Sequence, residues 1–155
     1  MINKAVFAGL VVGIFVLCFW AKVPAQEWTN IIPLTTKCKD LKKILGVKKC
    51  KFPVSNYEFE TFDLNINFLT KNDKLKVSFD TVVEARISLK KLIRLRDFET
   101  DLSDYKINAV DDLPSTKVYK NEKRGISLTV QPIPELNNEE YIKSIWLYPY
   151  KAKNK

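Results

Sequence analysis

The sequence predicts an α+β fold in which one or two short helices pack on an antiparallel sheet. Three observations carry this expectation: an amphipathic run closed by a glycine, several stretches of apolar–polar alternation, and turn-forming clusters between them.

The amphipathic run spans Lys37 to Leu45. Cys38, Leu41, Ile44 and Leu45 share one face, while Lys37, Lys39, Lys42 and Lys43 occupy the other. Thr36 is placed to cap the free N–H groups, and Gly46 supplies the left-handed stop. A helix this short is unstable alone and needs a sheet to pack on.

Strand patterns follow. Tyr57 to Phe62 is aromatic-rich and β-prone. Leu64, Ile66 and Phe68 alternate with Asn65 and Asn67 before a turn at Lys71-Asn72-Asp73-Lys74. Leu75, Val77 and Phe79 alternate next, then Val83, Ala85, Ile87 and Leu89 with Glu84, Arg86 and Ser88 between them. That pattern fits a sheet with one buried face.

The second half has a similar order. Phe98, Leu102 and Tyr105 stand at helical spacing within Arg96 to Tyr105, although Asp101-Leu102-Ser103-Asp104 equally fits a turn. Val118-Tyr119 and Gly125 to Val130 flank Asn121-Glu122-Lys123-Arg124, a hairpin signal. A Pro-punctuated loop, Gln131 to Pro134, precedes a last strand from Tyr141 to Tyr148, which Pro149 ends. Helix, hairpin and strand thus occur twice, as expected of two repeats of one unit.

The N-terminus has the layout of an export signal. Lys4 gives a positive start, Ala5 to Ala21 is apolar, and Lys22 to Gln26 restores polarity around Ala25. The expectation is a signal peptide over 1–25 and a single exported domain over 26–155. The apolar run also approaches the roughly 18 residues that can span a bilayer, so a retained N-terminal anchor is the alternative. Leu17 before Cys18 and Phe19-Trp20 after it do not fit lipoprotein processing.

Composition narrows the chemistry. The chain has no histidine, which removes Ser-His-Asp and Cys-His nucleophile systems, histidine metal ligands and the commonest general base. Four glycines leave no room for a phosphate-cradling loop. There are 26 basic residues against 18 acidic ones; Lys4 and Lys22 lie in the leader, so the exported part carries +6. In the cytoplasm such an excess would raise nucleic acid as a partner. Export argues against nucleic acid and directs the charge towards anionic envelope polymers or phospholipid headgroups.

Cys38 and Cys50 form an even pair after the leader, which in an oxidising compartment reads as a disulfide. The alternative is two free thiols, with Cys38 buried on the helix. A bridge closing that loop would stabilise the domain by about 3 kcal/mol.

Two surfaces are candidates for binding. Lys39, Lys42 and Lys43 lie within a basic cluster, Lys37 to Lys51, whose one acid is Asp40. It is either a face for an anionic surface or an ordinary solvated helix face. On the last strand, Trp146, Tyr148 and Tyr150 point away from Ile145 and Leu147. They are either an exposed aromatic row for a glycan or protein, or one side of a central strand covered on both faces. Asp97, Asp101, Asp104, Asp111 and Asp112 sit in polar, turn-like segments rather than as the facing pair a glycosidase needs. No residue emerges as catalytic, cofactor-binding or metal-ligating.

Trp28, Ile32, Pro33-Leu34 and Thr36, followed by Asp40-Leu41-Lys42-Lys43-Ile44-Leu45-Gly46, resemble the opening of a family of small exported proteins of unknown function common in acidobacteria. Its members begin with a Trp, a Pro-Leu and a Ser-Thr-x-x-Asp-Val-x-x-Leu-Leu-Gly segment. Cys50, Asp80-Thr81-Val82-Val83, Leu95-x-Asp97-Phe98 and Tyr119-x-Asn121-Glu122-x-x-Gly125-Ile126 extend the likeness. Lys37 replaces the family's second hydroxyl, Cys38 is outside its pattern, and its terminal cysteine is missing. The helix is also similar to one in the small lipoprotein of the outer-membrane barrel assembly machinery and in β-lactamase-inhibitor-like folds. The resemblance implies a helix against an antiparallel sheet and action by binding other proteins. The function expected is therefore a non-enzymatic binding or structural-accessory module, without a cofactor, acting outside the cytoplasm on a protein or an anionic envelope component. The alternative class is a carboxylate-dependent hydrolase of cell-wall or sugar polymers.

Overall fold

The computed structural model describes residues 27–69, 77–110 and 113–150. The leader over 1–25, Leu75, the turn at Lys71 to Lys74, and Asp111 and Asp112 lie outside the described residues.

A 3-10 turn at Glu27–Asn30 leads to helix α1, Cys38–Leu45. Strands β1 (Val54–Glu58), β2 (Phe62–Phe68) and β3 (Val82–Arg94) follow, then the single-turn helix α2, Leu95–Phe98. The rest is β4 (Lys106–Val110), β5 (Leu113–Asn121), β6 (Ile126–Ile133), a 3-10 turn at Pro134–Leu136 and β7 (Glu139–Leu147). All seven strands form one antiparallel sheet in the order β1-β2-β3-β7-β6-β5-β4. The fold is α+β and dominated by strands.

Pairing sets what each face of the sheet carries. Leu64, Ile87, Ile145, Leu128 and Tyr119 lie opposite one another in a row across five strands, and Ile66, Ala85, Leu147 and Ile126 form the next row. All nine are buried. Trp28, Ile31, Leu41 and Leu45 join the same core, so the N-terminal turn and α1 cover this inner face. Each fully buried Leu or Ile stabilises the fold by about 1.5–3 kcal/mol.

Several local expectations are corrected by backbone hydrogen bonding. Thr36 does not cap α1: its Oγ1 accepts from the Ile32 N–H at 2.8 Å. Lys37 is the N-cap, and the Asp40 carboxylate accepts the Lys37 N–H at 3.0 Å. Gly46 does close the helix, at φ 66°. Tyr57 to Phe62 is a hairpin rather than one strand, turned by the Phe59 N–H donating to the Phe62 carbonyl. Val77 and Phe79 lie in a turn where the Thr81 N–H reaches the Ser78 carbonyl, and both are exposed. A register shift opposite Asn67 and Phe68 puts Val82, not Val83, into the core.

Of Arg96 to Tyr105, only the first turn is helical. The rest folds back through an Asp101 turn, in which the side chain accepts the Ser103 N–H, yet Phe98, Leu102 and Tyr105 still reach the core. Gln131 and Pro132 belong to β6, paired with Tyr141 and Glu140 of β7. The β5 register ends at Val130, so Pro132 sits beyond the part of β6 that is paired on both edges.

Candidate binding surfaces

The lysine face rests on the periodicity of α1. Burying Leu41 and Leu45 turns Lys39, Lys42 and Lys43 outward, and all three are exposed. Among the described residues no carboxylate lies within ion-pair distance of them. The Cys38–Cys50 disulfide is formed, with Cα atoms 6.1 Å apart. It brings Lys48, Lys49 and Lys51, also exposed, back to the start of the helix.

The outer face of the sheet is a second surface, left open by the described elements. One row across it reads Asn56, Asn65, Arg86, Trp146, Ser127, Lys120 and Lys106. The Arg86 guanidinium lies 5.2 Å from the Trp146 ring centre, and the Trp146 and Tyr148 rings are 5.1 Å apart. The Lys120 ammonium stands 5.5 Å from the Tyr148 ring. The Trp146 indole N–H donates to Glu84 Oε2 at 3.0 Å, and Glu84 also lies 3.6 Å from Arg86. Cation, indole, phenol and cation thus follow one another from β3 to β5, across four strands. Such pairs contribute about 0.5–1 kcal/mol each where exposed.

Tyr150 does not extend this row. It lies past Pro149 and lines a cavity of about 310 Å³ with Trp28, Phe98, Gly125, Ile126 and Leu147. Trp146 and Tyr148 are therefore brought together, and Tyr150 is placed apart from them. Strand β7 is central as expected, but Trp146 is 38% exposed, so the outer face over it is not covered.

The carboxylates are individually engaged. Asp97 pairs with Arg94 at 2.6 Å, Asp104 with Lys123, and Glu99 with Arg124. The backbone and side chain of Ser103 hold the Asp101 carboxyl below the usual range. Glu99, Glu139 and Glu140 line a pocket of about 280 Å³ with Arg94 and Arg96. Glu139 is bound by Arg96 at 2.6 Å, and Glu140 by Lys117 and the Tyr119 hydroxyl, both at 2.7 Å. Burial would raise the Glu140 pKa, but the Lys117 and Tyr119 hydrogen bonds and the Lys117 charge outweigh it and hold the group low. A general acid needs the opposite shift. Among the described residues no cluster of His, Cys, Asp and Glu has an arrangement suited to a metal.

Tyr119, Asn121 and Glu122 have structural partners. The Asn121 side chain accepts the Arg124 N–H at 3.1 Å and shapes the hairpin turn, and Glu122 pairs with Lys106 at 3.4 Å. Arg86 and Lys120 of the outer row, and Glu84 beside it, are the partners of the aromatic pair that sequence reasoning missed. Glu84 and Arg86 stood in an alternating run, but the meeting of all three with the aromatic pair depends on strand register. Comparison with family models, with characterised proteins and with solved structures gave no match. No helix among the described residues is long and apolar enough to cross a membrane.

Proposed function

We propose that the chain is a non-enzymatic binding module that acts outside the cytoplasm on an anionic envelope component through the lysine face of α1. One observation carries this: Lys39, Lys42 and Lys43 are held outward on a helix that is pinned at its first residue by a disulfide, and no described carboxylate pairs with them. Fixed, unneutralised cations favour an anionic partner, with an attraction that salt screens over about 8 Å at physiological ionic strength. The disulfide is compatible with an oxidising compartment, and the engaged carboxylates fit binding better than hydrolysis. The family resemblance and a descent of both halves from one helix–hairpin–strand unit belong to the same proposal. The unit is supported by the antiparallel β3–β7 junction, from which each half's strands run outward in reverse chain order.

The test is retention on immobilised polyphosphate across a salt series. Wild type should elute as salt rises. Charge reversal at Lys39, Lys42 and Lys43 should advance elution while leaving the melting temperature unchanged, since those side chains oppose Leu41 and Leu45. Retention indifferent to both salt and charge reversal would remove the lysine face. A protein or glycan partner on the outer sheet face is the second reading, and the Arg86–Trp146–Tyr148–Lys120 row favours it.

A further inference from the structure

We propose that the tip formed by Phe52 and Phe79, beside the lysine face, docks on the interface of an anionic phospholipid bilayer. The inference rests on the lysine-face reading and names its partner, but an independent observation carries it.

Phe52 and Phe79 are 46% and 53% exposed, and their ring centres are 5.8 Å apart. Val54 and Val77, each two residues from one of these rings, are exposed as well. A core would bury such groups, and a solvated loop would carry polar residues instead. The tip is also built rigidly. Phe52 packs at 4.8 Å on Phe68, which is fully inside the core. The backbone N–H of Phe68 donates to the Pro53 carbonyl at 2.8 Å. On the other side, the Cys38 N–H donates to the Asp80 carbonyl at 3.0 Å, so the residue after Phe79 is fastened to the start of α1. The disulfide from Cys38 to Cys50 closes the circle two residues before Phe52.

Charge surrounds this apolar tip on one side. Lys48, Lys49 and Lys51 lead directly into Phe52, with Lys39, Lys42 and Lys43 on the adjoining helix, and all are exposed. Among the described residues the acids beside the tip are Asp40, which accepts the Lys37 N–H, and Asp80, which accepts the Ser78 hydroxyl at 2.6 Å, so this side stays basic. Exposed aromatic rings beside cations on long stems match a bilayer surface, where phosphates overlie acyl chains. The rings would enter the boundary layer while the lysines stay among the headgroups.

Hydrogen exchange of the full chain tests this, read at residues 51–54 and 77–80 with vesicles of phosphatidylglycerol and phosphatidylcholine, and with phosphatidylcholine alone. The leader carries Lys4 and Lys22 and is itself drawn to anionic vesicles, so the tip is read from protection local to these two segments and from its loss in the variants. Exchange at both segments should slow on the anionic vesicles only. The protection should be lost in Phe79→Ser and in a Lys48→Glu, Lys49→Glu, Lys51→Glu variant, each checked for an unchanged near-ultraviolet circular dichroism spectrum. Phe79 is the more exposed ring, so its truncation leaves the Phe52–Phe68 contact in place. No slowing on anionic vesicles, or equal slowing in Phe79→Ser, would overturn the inference. If polyphosphate retention persists in that case, the lipid partner alone is wrong; if both fail, the lysine face falls with it.

Discussion

Gly125 and Tyr148 are locked together through their backbones: the Tyr148 N–H donates to the Gly125 carbonyl at 2.9 Å, and a Cβ on residue 125 would stand 2.3 Å from the Tyr148 carbonyl oxygen. Gly125 is also at φ 65°, in the left-handed region. Two separate costs therefore fall on any side chain there. Left-handed backbone costs about 1–2 kcal/mol, and overpacking typically adds about 1–3 kcal/mol. Gly125→Ala should destabilise the domain by about 2–5 kcal/mol in urea unfolding. A loss under half a kilocalorie would mean that the β5–β6 turn and the end of β7 separate freely.

Cys38 and Cys50 should resist alkylation in unreduced exported protein, with any labelling confined to Cys18 where the leader is retained. Removing the bridge by Cys38→Ser with Cys50→Ser should cost about 3 kcal/mol on the chain-entropy estimate. It should also loosen the loop that carries Lys48 to Phe52 relative to α1. Complete alkylation of both without reductant would contradict the pairing.

How far the fold was legible follows the range of the interactions involved. Helix α1 and the turn from Asn121 to Gly125 depend on neighbours a few residues apart, and both form where Leu41, Leu45 and Gly125 indicate. Strand β4 left no such trace, because it is an edge strand whose Ile107 stays 58% exposed. Val77 and Phe79 misled for a physical reason: they alternate like strand residues, but their exposure belongs to the tip. The bulge that selects Val82 over Val83 depends on the partner strand β2. The outer row required register most of all. Arg86 meets Trp146 only because β3 pairs with β7 across sixty positions of sequence. Trp146 and Tyr148 could be named from alternation; their cations could not.

Tyr119 and Glu140 make the domain sensitive at both ends of the pH scale. Burial, reinforced by the hydrogen bond to Glu140, pushes the Tyr119 hydroxyl up to about 12, and burial takes Tyr105 to about 12 as well. Their folded pKa lies above the unfolded value, so their contribution is intact below about pH 10 and lost as pH rises towards 12. Glu140 is the reverse case. Its lowered pKa contributes stability above the ordinary glutamate value, lost as pH falls through the folded value. Ultraviolet difference spectra should show Tyr141 and Tyr148 titrating above the ordinary tyrosine value and Tyr105 and Tyr119 last of all, and Tyr119→Phe should remove one of the last two. Ordinary titration of both near pH 10 in the native state would refute the packing assigned to them.

Trp146 and Lys42 lie on opposite sides of the sheet, which lets the two candidate surfaces be separated experimentally. Lys42 belongs to a helix whose Leu41 and Leu45 pack in the inner-face core, whereas Trp146 projects outward between Arg86 and Ser127. Trp146→Phe keeps an aromatic ring under Arg86 but removes the indole N–H bonded to Glu84. Glu84 retains the Asn67 amide and Arg86, so the loss should be about 1 kcal/mol. Retention on polyphosphate should not change, because no α1 lysine is within reach of the outer row. Combining Trp146→Phe with charge reversal at Lys39, Lys42 and Lys43 should give additive effects on stability, as expected of distant sites. A weakened retention in Trp146→Phe alone, with the domain still fully folded at the temperature of the measurement, would place the anionic contact on the outer face, where Arg86 and Lys120 flank the aromatic pair.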